Sequence, residues 1–253
     1  MAEAKLATVT AAILVIGDEI LSGRTKDKNI GYIAEYLTNI GIDLKEVRVV
    51  PDEEKEIVGA LNALRHRYNY VFTTGGIGPT HDDITADSVA KAFGVSIGHH
   101  PEAVAIIEKR AKERGLELNE SRLRMARIPA TATLIENKVS GAPGFRIGNV
   151  IVMAGVPAIM QAMLDAAAPS LQTGAKMHSV SINTGLKEGD IGSELGEIAK
   201  AHPGTMIGSY PFFDEKLGPN TNVVVRSRDT ALLQAAAADV EAMVARVKKA
   251  LAA

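Results

Sequence analysis

Residues 70–85, YVFTTGGIGPTHDDIT, run a short apolar segment into three glycines, a proline and two adjacent aspartates. Tyr70–Thr74 has the length and make-up of a buried strand, and Ala86–Phe93 reads as a short helix with Thr85 as a candidate cap and Gly94 as its stop. The strand–loop–helix order recurs upstream. Ala11–Ile16 is a β-like run, and Ile30, Ile33, Ala34, Leu37 and Ile40 follow at helical spacing before Gly41. Ile42–Val50 reads as another strand, Pro51-Asp52 as a helix start with Asp52 as a candidate N-cap, and Ile57, Leu61 and Leu64 as the buried stripe of that helix. A helix from Pro101 carries Val104, Ile107 and Ala111 on one face. Strands alternating with helices imply a mostly parallel sheet covered on both faces, an α/β sandwich.

Further along, Asn119–Arg127 reads as a helix, Ala132–Ile135 as a short strand, and Asn137–Gly148 (NKVSGAPGFRIG) as a long loop rich in turn residues. Val150–Met153 resumes the sheet, and a helix from Pro157 runs to about Ala168. A composition shift at Pro169–Ala175 marks a linker. Beyond it, His178–Thr184 and Asn222–Arg226 are strand-like, and Ile191–Ala201 and Thr230–Leu251 helix-like, which makes a small α+β module. The expected division is an α/β domain over residues 8–171 and a small α+β domain over residues 176–253.

Of the 253 residues, 46% are hydrophobic but only 4% aromatic, with no Trp, so the core is expected to be Ala, Val, Ile, Leu and Met packed between regular elements. A net charge of −2 with scattered Lys and Arg gives no global attraction to nucleic acid or anionic membranes. The absence of cysteine excludes disulfides, thiolate metal sites and cysteine nucleophiles, leaving oxygen or imidazole for any metal. The opening MAEAKLATVTAAILVIG has neither a long apolar stretch nor a small-residue cleavage site, and no later run approaches the ~20 residues that span a bilayer. A cytoplasmic protein without nucleic-acid or membrane partners is expected.

Ligands of open α/β sheets bind beyond the carboxyl ends of the strands. Three loops there carry unusual chemistry: Ile16–Asn29, Thr73–Thr85 and Ala154–Pro157. Gly75, Gly76 and Gly78 permit positive φ and close backbone approach, and successive N–H groups in such a turn can form an anion nest; a tight turn without a ligand would use the same glycines. Neither a Walker nor a dinucleotide glycine pattern is present. A lone Asp before a helix is usually a cap. Two of them beside a phosphate would repel it unless a divalent cation lies between, so Asp82 and Asp83 are candidate metal ligands. Glu19, Asp27 and Asp52 lie at strand ends expected to converge on the same edge, and could add oxygen ligands or a general base. His81, inside the loop, is a better functional candidate than His99 or His100, which read as exposed or capping.

TTGGIGPTHDDIT resembles the central motif of the molybdopterin-binding domain shared by molybdenum-cofactor biosynthesis proteins, and in particular its form in the competence/damage-inducible protein A (CinA) family. IGDEILSG with DKN at Asp27–Asn29, VVPD at Val49–Asp52, GAPGF at Gly141–Phe145 and GVP at Gly155–Pro157 are similar to that family in order and spacing, over about Ala11–Leu171. IGSYP at Ile207–Pro211 is similar to the small domain that follows there. The resemblance implies a three-layer α/β/α fold that self-associates, as a dimer or trimer. Asp83 matches the motif aspartate tied to catalysis, Asp52 the acidic residue after the second strand, and Gly75, Gly76 and Gly78 the ligand loop. The expected catalytic acids are Asp83, Asp52 and Glu19, with a divalent cation (Mg, Mn or Co) on Asp82 and Asp83. Ligand contacts are expected from Gly17, Asn29, Gly75, Gly76, Gly78, Pro79, Thr80, Thr85, Gly141, Pro143, Gly144, Gly155 and Pro157. The chain departs from the family at Ile77, where the pterin branch usually has Thr, and at Ala154 and Ile159, where CinA-like proteins usually have Pro and Glu.

The leading expectation is a divalent-metal-dependent pyrophosphatase acting on a nucleotide-containing pyrophosphate of the ADP-ribose or FAD type. The alternatives are binding or adenylylation of molybdopterin in molybdenum-cofactor synthesis, and a non-catalytic nucleotide or pterin sensor, which Ala154 and Ile159 favour. As the sequence stands, nothing after Ala253 accommodates the deamidase domain of full-length CinA proteins, and nicotinamide-mononucleotide deamidation is not expected.

Overall fold

In the computed structural model, residues 8–215 and 218–252 are described. Residues 1–7, which open the segment read as lacking a leader, and residue 253, the end of the expected second domain, lie outside the described residues. The chain divides into two compact units, the first ending at Gly174 and the second beginning at Ala175.

The first unit runs β1 (Val9–Ile16), α1 (Asp18–Leu21), α2 (Asn29–Asn39), β2 (Ile42–Val50), α3 (Glu54–Arg65), β3 (Tyr70–Thr74), α4 (Thr85–Phe93), β4 (Ile97–His99), α5 (Pro101–Glu113), α6 (Glu120–Arg124), β5 (Arg127–Pro129), β6 (Thr133–Ile135), β7 (Gly144–Ile147), β8 (Val150–Met153) and α7 (Pro157–Ala167). Its main sheet has the order β2-β1-β3-β8-β7-β6. The first four strands are mutually parallel, whereas β7 and β6 join as antiparallel neighbours. The period-two alternation of β1 feeds two cores. Ala12, Leu14 and Ile16 pack with Ile57, Leu61 and Leu64 of α3, Val89 of α4 and Ile107 of α5. Ala11, Ile13 and Val15 pack with Ile33 and Leu37 of α2 and Met160, Met163 and Leu164 of α7. A strand buried on both faces reads as a continuous apolar run, as VTAAILVI does. The result is a three-layer α/β/α sandwich with a mostly parallel sheet.

The middle of the chain differs from its sequence reading. The helix expected over Asn119–Arg127 is confined to α6, because Arg127–Pro129 pairs as β5 with β4, His99 opposite Arg127. The loop expected over Asn137–Gly148 contains β7, whose Phe145 and Ile147 are buried while its flanking glycines give the segment a turn-like composition. Helix α5 buries Ala103, Ile107 and Ala111, and Val104 is only half-buried.

The second unit comprises β9 (His178–Asn183), α8 (Glu188–Ala201), β10 (Met206–Asp214), β11 (Gly218–Ser227) and α9 (Thr230–Leu251). The strands form an antiparallel sheet in the order β10-β11-β9. Val223 and Val225 pack against Ile191, Leu233, Val240 and Met243 from the two helices. Strand β10 went unread because Gly208 and Pro211 interrupt MIGSYPFFD, and only the buried middle of β11 showed as Asn222–Arg226. Among the described residues no helix is long and apolar enough to cross a membrane.

The two large apolar clusters draw only on residues up to Leu171, and the third only on Val180 onward. A chain ending at Gly174 is therefore expected to unfold in one cooperative urea transition, with an m-value below that of the full chain. A broad, non-cooperative melt of the truncated chain would contradict this division.

Candidate functional site

Three strand ends meet at Gly75. Its φ is 103°, and a β-carbon there would stand 2.1 Å from the carbonyl oxygen of Ile16 at the end of β1. On the other side, a β-carbon on Gly155, after β8, would lie 3.3 Å from the Gly75 Cα. The Thr85 hydroxyl donates to the Gly75 carbonyl at 3.0 Å, and the Thr85 N–H donates to the Gly76 carbonyl at 3.0 Å. Thr85 thus clamps the loop as the first residue of α4. The cap expected of it is absent, and the residue at the cap position, Ile84, has no side chain able to cap. Gly76 has φ 66°, and a β-carbon on it would meet the Thr85 hydroxyl at 2.2 Å. Held this way, the N–H groups of Gly76, Ile77 and Gly78 have no hydrogen-bond acceptor among the described residues.

The carboxylate of Asp83 closes the rest of the loop. Its Oδ2 accepts from the Thr80 N–H at 2.8 Å and from the Thr80 hydroxyl at 2.5 Å, while Asp83 N–H donates to the Thr80 carbonyl at 3.2 Å. Asp83 therefore braces a turn and does not cap α4. Its Oδ1 accepts no hydrogen bond among the described residues. Arg124, at the end of α6, donates from Nη2 to the carbonyls of Asp83 (3.1 Å) and His81 (3.3 Å). The Asp82 side chain is 65% exposed, and the His81 ring, 4.0 Å from it, is fully in solvent.

Asp52 is not the cap that its position before α3 suggests. Its Oδ2 accepts from the Asp18 N–H at 3.0 Å, tying the loop after β2 to the loop after β1. The cap position of α3 is Glu53, without a side-chain cap. Burial pushes the Asp52 carboxyl above its usual range, opposed by the Asp18 N–H and reinforced by the charges of Asp18, Glu19 and Asp82. The Glu19 carboxylate folds back over Gly17, where a β-carbon would stand 2.6 Å from its Oε2. Asp27, read as a further oxygen ligand, accepts through Oδ1 the N–H groups of Asn29 (3.0 Å) and Ile30 (2.7 Å) at the start of α2 and also lines a recess beside the glycine loop.

Two recesses flank the glycine loop. One, of about 210 Å³, is lined by Val15, Ile16, Glu19, Ile20, Lys26, Lys28, Asn29, Thr74, Gly75, Gly155 and Pro157. Asn29 donates to the Gly155 carbonyl at 2.8 Å, while Asn29 Oδ1 and Thr74 Oγ1 are buried there without a partner. The other is a narrow crevice lined by Gly76, Gly78, Asp83, Arg124, Pro143 and the Arg127–Asp87 ion pair (2.5 Å). Pro79 and Thr80 lie on the exposed outer turn. Gly141 and Gly144 are not brought to the glycine loop. Gly141 faces Arg110, and Gly144 is buried in β7 against the Val152 carbonyl and Met163. Arg124, Arg127 and Asp18 were not singled out in the sequence. Their placement depends on α6, β5 and α1, short elements without a periodic signature.

Among the described residues no three His, Asp or Glu side chains are gathered so as to hold a metal by themselves. The donor chemistry fits a different kind of ion site. Exposed Asp82 and the unengaged Asp83 Oδ1 suit a hard cation such as Mg²⁺, which takes one or two carboxylates and completes its shell with water and phosphate oxygens.

Residues 12–173 match the family described as probable molybdopterin binding domain, and residues 176–250 match the middle domain of FAD synthase. A protein of Aeropyrum pernix is 33% identical over 242 residues, 92% of this chain and 90% of its own length. One of Thermoplasma volcanium is 31% identical over 244 residues, 94% of each chain. Among solved structures, that of the protein CinA, of unknown function, from Thermoplasma acidophilum is similar with a TM-score of 0.59 and 36% identity, over 64% of this chain and 98% of that one.

The raised Asp52 carboxyl carries a stability consequence. Its folded-state pKa lies above the unfolded value, so its stabilising contribution is complete below the unfolded pKa and is lost as pH rises through the folded one. Asp52→Asn keeps an acceptor for the Asp18 N–H and removes the charge. The variant is expected to melt at or above the wild-type temperature at neutral pH, with the gap closing toward about pH 3, where the native carboxyl is protonated. A variant whose deficit grows as pH rises would contradict this reading of Asp52.

Proposed function

The chain belongs to the probable molybdopterin binding domain family through residues 12–173, and on that premise we propose that it binds a nucleotide-containing pyrophosphate of the ADP-ribose or FAD class and hydrolyses it with a divalent cation. The observation that carries this reading is the run of three N–H groups without acceptors among the described residues, Gly76 to Gly78, next to two carboxylates. An anion nest binds phosphate, and acids beside phosphate need a cation between them. The match of residues 176–250 to the middle domain of FAD synthase supports a nucleotide as the ligand class.

In this reading the Gly76–Gly78 amides take the phosphate oxygens, and Asp82 with Asp83 would hold Mg²⁺, Mn²⁺ or Co²⁺. When bound, the cation supplies neutralisation of charge on the pyrophosphate. Arg124 and Thr80 fix the aspartate loop, so that the carboxylates need not reorganise on binding. Asp52, with a carboxyl more basic than usual, would take the proton from a water that adds to phosphorus. Breaking the P–O bond then leaves two monophosphates. The recess at Asn29 and Thr74 receives the heterocycle, whose ring N–H would meet Asn29 Oδ1.

A second reading, binding or adenylylation of molybdopterin, draws on the same recess, because a pterin also offers ring donors to Asn29 Oδ1. The two separate in a direct assay of the full chain with ADP-ribose, FAD and molybdopterin, with and without Mg²⁺, Mn²⁺ or Co²⁺. Hydrolysis predicts metal-dependent release of AMP. Tight pterin retention without release supports the second reading. Asp83→Asn should lower turnover about a hundredfold or more with little change in melting temperature, since each tenfold needs only about 1.4 kcal/mol of transition-state stabilisation. Full turnover with ordinary metal dependence in that variant would remove Asp83 from the chemistry.

A further inference from the structure

Where α5 ends and α6 begins, a recess of about 170 Å³ is rimmed by Arg110, Arg114, Arg122 and Ser140, and no carboxylate lines it. Its floor is apolar, formed by Ile107, Leu116, Met125 and Ala142. Arg110 pairs with Glu113 at 3.1 Å, but Arg114 and Arg122 have no ion pair among the described residues. Their guanidinium groups are anchored on backbone instead. Arg110 Nη2 donates to the Lys138 carbonyl at 3.0 Å, Arg114 Nη2 to Val139 at 3.2 Å, and Arg122 Nη1 to Glu117 at 2.6 Å. One bond each leaves most of the N–H donors of Arg114 and Arg122 without an acceptor among the described residues.

Cations in the last turn of a helix are favoured by its dipole, which accounts for Arg110 and for Arg114 just beyond it. The same pull acts on Arg122 in the last turn of α6, but it is weak for a helix of 5 residues and says nothing of a lining free of carboxylates. Guanidinium forks match the paired oxygens of a carboxylate or phosphate, and the apolar lining suits a body of about one aromatic ring, the size that a cavity of about 150 Å³ holds.

We propose that this recess is a second binding site, for a small organic anion with a carboxylate or phosphate on an apolar body, held by Arg114 and Arg122. Met125 lines both this recess and the crevice at the glycine loop. Arg124, two residues beyond Arg122, holds the carbonyls of His81 and Asp83. An anion on Arg122 therefore leans on the same short helix that braces the aspartate loop. Binding at the recess does not depend on the hydrolytic reading; only this coupling rests on it.

The test is calorimetric titration of the full chain with phenyl phosphate and benzoate, with inorganic phosphate and phenol as controls. At least one organic anion should bind saturably, more weakly as salt rises, and more tightly than either control. Arg114→Gln and Arg122→Gln should each weaken that binding by about tenfold, whereas Asp83→Asn, in the glycine loop, should leave it unchanged. If Arg122→Gln lowers the melting temperature, Arg114→Gln on the exposed end of α5 decides. The proposal is overturned if neither organic anion binds, if binding survives both arginine substitutions, if inorganic phosphate binds as tightly as phenyl phosphate, or if Asp83→Asn abolishes the binding.

Discussion

A β-carbon at Gly75 would have to occupy the space of the Ile16 carbonyl, 2.1 Å away. That single exclusion lets the ends of β1, β3 and β8 close on one another. With Gly155 packed on the Gly75 Cα and Thr85 bonded to its carbonyl, the chain after β3 has one path open to it. That path leaves three consecutive N–H groups without an acceptor among the described residues, and it delivers Asp82 and Asp83 beside them. In a half-buried loop such N–H groups remain available to an anion.

Charge balance gives the site its second constraint. Burial first, and then the charges of Asp18, Glu19 and Asp82, raise the Asp52 carboxyl. A phosphate alone would add to that repulsion, and a cation alone would leave the amides of Gly76 to Gly78 unanswered. The two together satisfy both. The proposed activity therefore follows from the pairing of nest and acids more than from any single residue.

Much of the architecture was legible because continuous apolar runs mark strands covered on both faces, mixed β-branched runs the edge strand, and helical spacing the helices. Tyr70–Thr74, Ile42–Val50 and Thr230–Leu251 coincide with β3, β2 and α9. Single polar residues were less legible. Asp52 and Thr85 stand where caps usually stand, yet each bonds to a different loop, because contacts formed only when strand ends converge outweigh a local cap. Asp27, read as a ligand, also accepts the first N–H groups of α2, a local bond that its spacing before Asn29 allowed. Arg124 gave no signal, since its value lies in carbonyls some forty residues away in sequence. Gly141 and Gly144 share a motif with Pro143, but one packs on α5 and the other inside the sheet, so a common motif did not give a common role.

The central claim, that the glycine loop and its aspartates jointly hold a cation and a pyrophosphate, is tested most directly by electron paramagnetic resonance of Mn²⁺ titrated into the full chain. Without nucleotide, Mn²⁺ should bind weakly, because no three protein ligands are gathered for it among the described residues. With ADP-ribose or a non-hydrolysable analogue, binding should tighten by at least about tenfold over Mn²⁺ held by the nucleotide alone, and Asp82→Asn should abolish the gain. Mn²⁺ binding indifferent to the nucleotide, or a gain that survives Asp82→Asn, would contradict the account.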